Sequence, residues 1–579
     1  MIWIADILRN GLRFVSHLLT RLAGPPPEFV VVELTGSYPE RAAPRPPFLQ
    51  RLVMRSWRRP EESQEDLRDR LERIVRSARV RGIVLRIRDL RTAPGRLAVL
   101  QSLREAIAVV RRRGKRVVAY LPACDLAEYY VASVADEIWM PEAGTWNVTG
   151  VRTEITFFRQ AFDRIGILPE FERIAEFKTA ADPFTRPGLS ESHREVIESV
   201  LDGLMEEFVR DVADARGLDP AAVRTAVDGA PLEAEEARAA GLVDGICYED
   251  ELPAALARTE RPQQPAVVLP WSQVRRRLPA PYRWRAREAV IGVVELLGNI
   301  ITGESRDLPV PLPFLGSRFA GAETVARAFR AAERHPRVRA IVFHIDSGGG
   351  SALASDLIWR EVERIKPRKP VVAFMGAVAG SGGYYVACGA NRVVAQPTTI
   401  TGSIGVVSGK LTMRGLYERL GLNREIVARG ASATVESAFQ PFTPAQVNRL
   451  RQQMDAIYRR FIARVAAGRR RQPDEIGTIA RGRVWTGRQA HERGLVDELG
   501  DFTTAVRRAR ELAGIPAAAE VAVVTIRAPR ALRIPAATPD QAASPSIMDG
   551  LLGAVDALRA VRGLVEEGTL LLMPELTER

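Results

Sequence analysis

Val338–Asp356 reads VRAIVFHIDSGGGSALASD. A β-branched, apolar run breaks at three glycines and passes at once into a stretch with helical spacing. Ala354, Leu357, Ile358, Val362 and Ile365 fall on one face of that stretch. Strand, glycine turn and helix in succession are the building unit of an α/β fold with largely parallel pairing. The opening of this unit occurs twice. VRAIVFHIDS has a counterpart in VRGIVLRIRD, Val80–Asp89, 258 positions upstream (338 − 80).

Further matches follow in the same order. GKRVVAYLPA answers RKPVVAFMGA with Lys115 on Lys369, EYYVAS answers GYYVAC with Tyr129 on Tyr384, and AAGLVDGI answers ERGLVDEL with Asp244 on Asp497. The offsets of 254, 255 and 253 (369 − 115, 384 − 129, 497 − 244) barely drift, so only short insertions separate the copies. The chain is therefore expected to be a tandem duplication of one α/β repeat. Residues 28–250 form the first copy and 288–515 the second. A Pro- and Arg-rich stretch of little periodicity, 251–287, reads as the linker. Residues 516–579 comprise a strand (VAVVTIR), a Pro/Ala/Ser spacer and a final helix.

The first 27 residues place apolar side chains at helical spacing, interrupted by Asp6, Arg9, Arg13, His17 and Arg21. A spanning helix needs about 20 largely apolar residues, which these charges forbid. A cationic amphipathic helix suits an anionic membrane surface instead, and a peripheral, membrane-associated location is expected. The whole chain of 579 residues carries a net charge of +13 with only 6% aromatic residues. No nucleic-acid motif accompanies the charge, and there is little from which to build a stacking platform, so no nucleic-acid partner is expected. Cys124, Cys247 and Cys388 are an odd count with no metal-ligand spacing; neither a disulfide framework nor a metal or other cofactor is expected.

The two copies differ where chemistry could sit. Aligned through Tyr129 and Tyr384, Ser403 of TTITGSIGVVSG falls opposite Val148; aligned through AADPFT and AFQPFT, Lys178 falls opposite Glu436. One copy keeps a serine without the lysine, the other a lysine without the serine. That is what remains when a symmetric Ser/Lys site becomes asymmetric after duplication. A serine hydroxyl becomes a nucleophile when a base takes its proton, and a lysine serves once its pKa falls from about 10.4 toward the working pH. Such a pair needs no histidine, and requires the lysine of one copy to meet the serine of the other.

Backbone N–H groups of the glycine run, Gly348 and Gly349, with that of Ile404 after the serine, are the expected oxyanion donors. The first copy has IRDLRTAPG in place of the glycine run. Ser381, in AGSGGYYVA, is the rival nucleophile. Ser403 is preferred because TGSIGV stands at a strand end, whereas AGSGGYYVA reads as the tight start of a packed helix.

These motifs together, with FKTAADPFTR and VWTGRQAHERGLVDELGD, resemble the long, duplicated form of the signal peptide peptidase A family, serine proteases with a ClpP/crotonase-like fold. The resemblance runs from about Phe29 to Gly514. It implies Ser403 as nucleophile, Lys178 as general base, and a membrane-associated homotetramer whose grooves bind extended apolar peptides such as signal-peptide remnants. Three features depart from the family pattern: SGGG at Ser347–Gly350 where a proline is usual, Gly380 in AGSGG, and the charged amphipathic N-terminus in place of a spanning helix. Two other functions fit the fold class, a crotonase-like acyl-CoA enzyme and a catalytically silent scaffold. Neither would depend on Ser403 and Lys178.

Overall fold

The computed structural model describes residues 11, 14–15, 27–42, 61–90, 96–258, 262–278, 289–312, 316–528 and 569–572. Apart from residues 11, 14–15 and 27, the expected N-terminal helix over 1–27 lies outside the described residues, as do the spacer and helix over 529–568. The chain forms two compact units, one of residues 1–152 with 204–287, the other of 153–203 with 288–579.

The second unit is built on the stretch quoted first. Val338–Ser347 is a strand whose alternate residues point to opposite faces, and both faces are buried. Ile341, Phe343 and Ile345 pack with Phe329, Ile358 and Tyr384 on one side, while Ala340 and Val342 pack with Phe374 and Phe502 on the other. Burial on both faces explains why the strand is a nearly continuous apolar run, the mark of a parallel sheet. Its neighbours Ala289–Leu297 and Val371–Gly380 are both parallel to it, and Val521–Thr525 closes that edge, parallel to Ala289–Leu297.

The first unit repeats this plan. Val268–Pro270, Phe29–Gly36, Gly82–Leu90, Arg116–Tyr120, Glu137–Met140 and Gly245–Ile246 follow one another in a sheet whose pairings are all parallel. The small polar contacts are duplicated too. Tyr129 Oη–H donates to the Leu242 carbonyl at 3.0 Å and Tyr384 to that of Leu495 at 2.9 Å. Asp244 accepts from Ile138 N–H and Asp497 from Val393 N–H, both at 2.7 Å. The tandem α/β duplication expected from the sequence is the architecture of the chain.

Two features differ from the expected layout. The stretch read as linker carries helix Leu252–Ala255 and edge strand Val268–Pro270, the counterpart of Val521–Thr525. A three-residue strand beside prolines is too short to leave a periodic signal. Residues 153–203, which belong to the first repeat in sequence, belong to the second unit in space. There the strand Leu168–Ile174 pairs antiparallel with Val406–Thr412 over seven residues, from Leu168↔Thr412 to Ile174↔Val406. This pair ends a second sheet in that unit, of order Arg306–Leu312, Gly316–Gly321, Asn299–Ile301, Gly349–Ser351, Thr569–Leu572, Val406–Thr412, Leu168–Ile174.

Candidate active site

Lys178 follows directly on the strand Leu168–Ile174. The chain leaves that strand through Ala175, held at φ +91°, and turns so that Lys178 N–H donates to the Ala175 carbonyl at 3.2 Å. Phe177 N–H donates to the Arg481 carbonyl at 2.9 Å, fastening the turn to the loop at 480–483. Glycines clear the path for the lysine stem. A Cβ on Gly482 would come within 2.9 Å of Lys178 N, Cα and Cβ, and one on Gly405 within 3.2 Å of its Cδ. The side chain is wholly buried.

At its end, Lys178 Nζ lies 2.6 Å from Ser381 Oγ, 3.0 Å from Ser403 Oγ and 2.9 Å from the Ser403 carbonyl oxygen. All three partners are neutral oxygens. Burial acts on the ammonium as pure desolvation and pushes its pKa well below the ordinary lysine value. A neutral amine has two N–H groups and one lone pair. The carbonyl can only accept, so one N–H goes to Ser403 O. Of the two hydroxyls, one then accepts the other N–H and the other donates its proton to the lone pair.

The structure therefore brings Lys178 to both candidate serines, and does so inside the second unit. The two serines are themselves joined: Ser381 N–H donates to the Gly402 carbonyl at 2.8 Å. Both are buried with positive φ, +52° at Ser381 and +50° at Ser403. Their settings differ. Ser381 stands where the strand Val371–Gly380 turns sharply into the helix Gly382–Ala387, with ψ −111°. Strain at such a strand-to-helix turn lifts a side chain to the end of a sheet. The next residue abuts the glycine turn: a Cβ on Gly382 would lie 3.1 Å from Gly349 Cα and 3.3 Å from Gly350 N. Ser403 is walled on another side, with its N–H donating to the Arg483 carbonyl at 2.7 Å.

The other expected residues are placed as follows. Gly348 is partly exposed at the head of the turn, and Gly349 is buried. Gly349 N–H donates to Ser347 Oγ at 3.1 Å, within the turn itself. Ile404 is buried on the Ser403 side, its carbonyl accepting from Gly482 N–H at 2.8 Å. Gly350, at φ +148°, has no room for a side chain, since its Cβ would meet the Ile300 carbonyl oxygen at 2.1 Å. Sequence reading passed over two contributors, the Gly405/Gly482 walls and the tie from Ser381 to Gly402. Neither has a local signal, because the partners come from distant segments. No trio of His, Cys, Asp or Glu is placed to hold a metal ion among the described residues.

The model of peptidase family S49 matches residues 110–261 and 363–516, one match in each repeat. Lys178 falls in the first, Ser381 and Ser403 in the second. The chain belongs to peptidase family S49. Its similarity to individual members of the family covers most of the chain. It is 31% identical over 509 residues to the chloroplastic serine protease SPPA of Arabidopsis thaliana, covering 86% of this chain and 72% of that one. It is 30% identical over 476 residues to protease 4 of Salmonella typhi (79% and 73%) and 29% identical over 445 residues to protease 4 of Haemophilus influenzae (75% and 70%). This S49 chain is a serine peptidase, and the acyl-CoA and silent-scaffold alternatives are set aside.

Proposed function

We propose that this S49 peptidase hydrolyses extended apolar peptides, such as remnants of cleaved signal peptides, with Ser381 as nucleophile, Lys178 as general base and Ser403 holding the lysine. The assignment exchanges the roles of the two serines expected from sequence. The observation that carries it is the pattern of contacts at Lys178 Nζ. Ser403 offers two oxygens, a carbonyl and a hydroxyl, which suits a residue that takes both N–H groups. Ser381 makes one short contact of 2.6 Å, which suits a hydroxyl giving its proton to the lone pair. Ser381 also lies beside the glycine turn.

In this reading Ser381 Oγ attacks the substrate carbonyl carbon while its proton passes to Lys178 Nζ. The oxyanion accepts hydrogen bonds from backbone N–H groups of the glycine turn and of Gly382. Collapse expels the amine, which takes the proton from Nζ, and water then releases the acyl group with Lys178 again as base. Loss of one oxyanion donor typically costs about 2.7–4 kcal/mol.

Labelling with a fluorophosphonate, mapped by mass spectrometry, tests the assignment: the adduct is expected on Ser381. Ser381→Ala should lose at least about 10⁴-fold in kcat/KM, whereas Ser403→Ala should keep measurable turnover. An adduct on Ser403, with turnover surviving in Ser381→Ala, restores the roles expected from sequence.

Association with an anionic membrane through residues 1–27, and assembly as a homotetramer, belong to the same proposal. The charges within the N-terminal apolar stripe support the first, and the second follows from the family resemblance alone. Among the described residues no helix is long and apolar enough to cross a membrane. Flotation with acidic liposomes should weaken on deleting residues 1–24 and in high salt. Light scattering should report four chains of 63.8 kDa.

A further inference from the structure

Thr569–Leu572 is a strand inserted between Gly349–Ser351 and Val406–Thr412, antiparallel to both. Leu572 pairs with Gly349, Leu571 with Gly350 and Leu570 with Ser351; on the other side Leu570 pairs with Val407 and Thr569 with Ser408. One flank is therefore the glycine turn that abuts Gly382, next to Ser381. The inserted sequence, TLLL, is extended and apolar, the chemistry of the substrates proposed above.

An extended peptide binds a protease by adding a strand to exposed sheet edges, with its main chain supplying the pairing. Gly349–Ser351, which abuts Gly382 next to Ser381, and Val406–Thr412, which follows Ser403, are two strands that could serve that purpose. A residue in a ladder pairs with one neighbour on each side, so the chain's own strand and a substrate strand cannot occupy the slot together. We propose that residues 569–572 are a tethered occupant of the substrate cleft, competing with peptide substrates and holding the full chain in a self-inhibited state. Because the occupant is covalently attached, its local concentration is fixed by the connection and does not fall on dilution.

The inference rests on the cleft location given under the proposed function, and its test separates the two. The chain ending at Gly568 and the full-length variant Leu571→Pro, which removes an N–H from the strand, are compared with the full chain. The first readout needs no catalysis: fluorescein-labelled TLLLMP peptide is titrated and anisotropy recorded. It should bind the truncated chain and Leu571→Pro at least about tenfold more tightly than the full chain. The second is hydrolysis of an apolar fluorogenic peptide, where KM should fall about fivefold or more on truncation with kcat unchanged. Equal peptide affinity in the three chains, or equal KM in active chains, overturns the tail proposal and leaves the proposed function standing. Tighter peptide binding by chains that are all inactive supports the occupant and removes the proposed catalytic roles.

Discussion

In the proposed mechanism, Lys178 can serve as a base because of where it is buried. Its folded pKa lies below the ordinary lysine value of about 10.4, so between the two values the folded chain binds fewer protons than the unfolded one. Stability then rises with pH through that window and is lost as pH falls toward the folded value. Activity runs the same way, since only the neutral amine can accept the serine proton. The profile of kcat/KM should climb with pH through one apparent pKa below the lysine range. Lys178→Met should lose at least about 10³-fold in kcat/KM, and the wild-type melting temperature should rise relative to that of Lys178→Met as pH increases. A pH-independent difference between the two would mean that Lys178 is charged in the folded chain. The lysine itself was legible in the sequence, through its replacement by Glu436 in the other repeat. The choice of serine was not. Ser381 falls on Leu126 (381 − 255) just as Ser403 falls on Val148 (403 − 255), so the first repeat lacks both and complementarity cannot rank them. In the proposed assignment they are ranked by contact lengths and the neighbouring glycine turn, which exist only in three dimensions.

At the scale of elements, the site depends on the ladder between Leu168–Ile174 and Val406–Thr412, because Lys178 is aimed from the end of the first strand and Ser403 precedes the second. Gly409 is its tight point: a Cβ there would meet the Glu170 carbonyl oxygen at 2.2 Å and Phe171 Cα at 2.6 Å. Gly409→Val should force the strands apart and misplace the lysine, and displacement of about 1 Å at a catalytic group can cost about 10²-fold in rate. Loss of turnover with the parallel sheets intact by circular dichroism is the expected result; full turnover would show that the ladder does not position Lys178. The parallel strands could be read from their apolar runs because both faces are buried. This antiparallel pair could not, because LPEFERI and VVSGKLT mix charge, proline and glycine with apolar residues, and their pairing joins positions 232 to 244 apart (406 − 174, 412 − 168).

At the scale of the molecule, sequence repeats and compact units do not coincide. The duplication was legible because identical motifs recur at a nearly constant offset, whereas the membership of 153–203 was not, since contacts rather than similarity define a unit. The lysine and both serines lie in the second unit of one chain. Co-expressed Ser381→Ala and Lys178→Met chains should therefore show no turnover above the sum of the two alone. Recovered activity in mixed oligomers would place the pair between chains.

The insertion of Leu168–Ile174 into that unit also imposes an order of events during synthesis. Lys178 is translated about 200 residues before Ser381, which at 5–20 residues per second leaves roughly 10–40 s in which a growing chain holds a base and no nucleophile. Through that interval Leu168–Ile174 has no Val406–Thr412 to pair with, and stands as an open edge of the kind that invites association with other chains. Under the proposed mechanism a growing chain cannot itself hydrolyse peptides at this site until the later strand has emerged and closed on the earlier one.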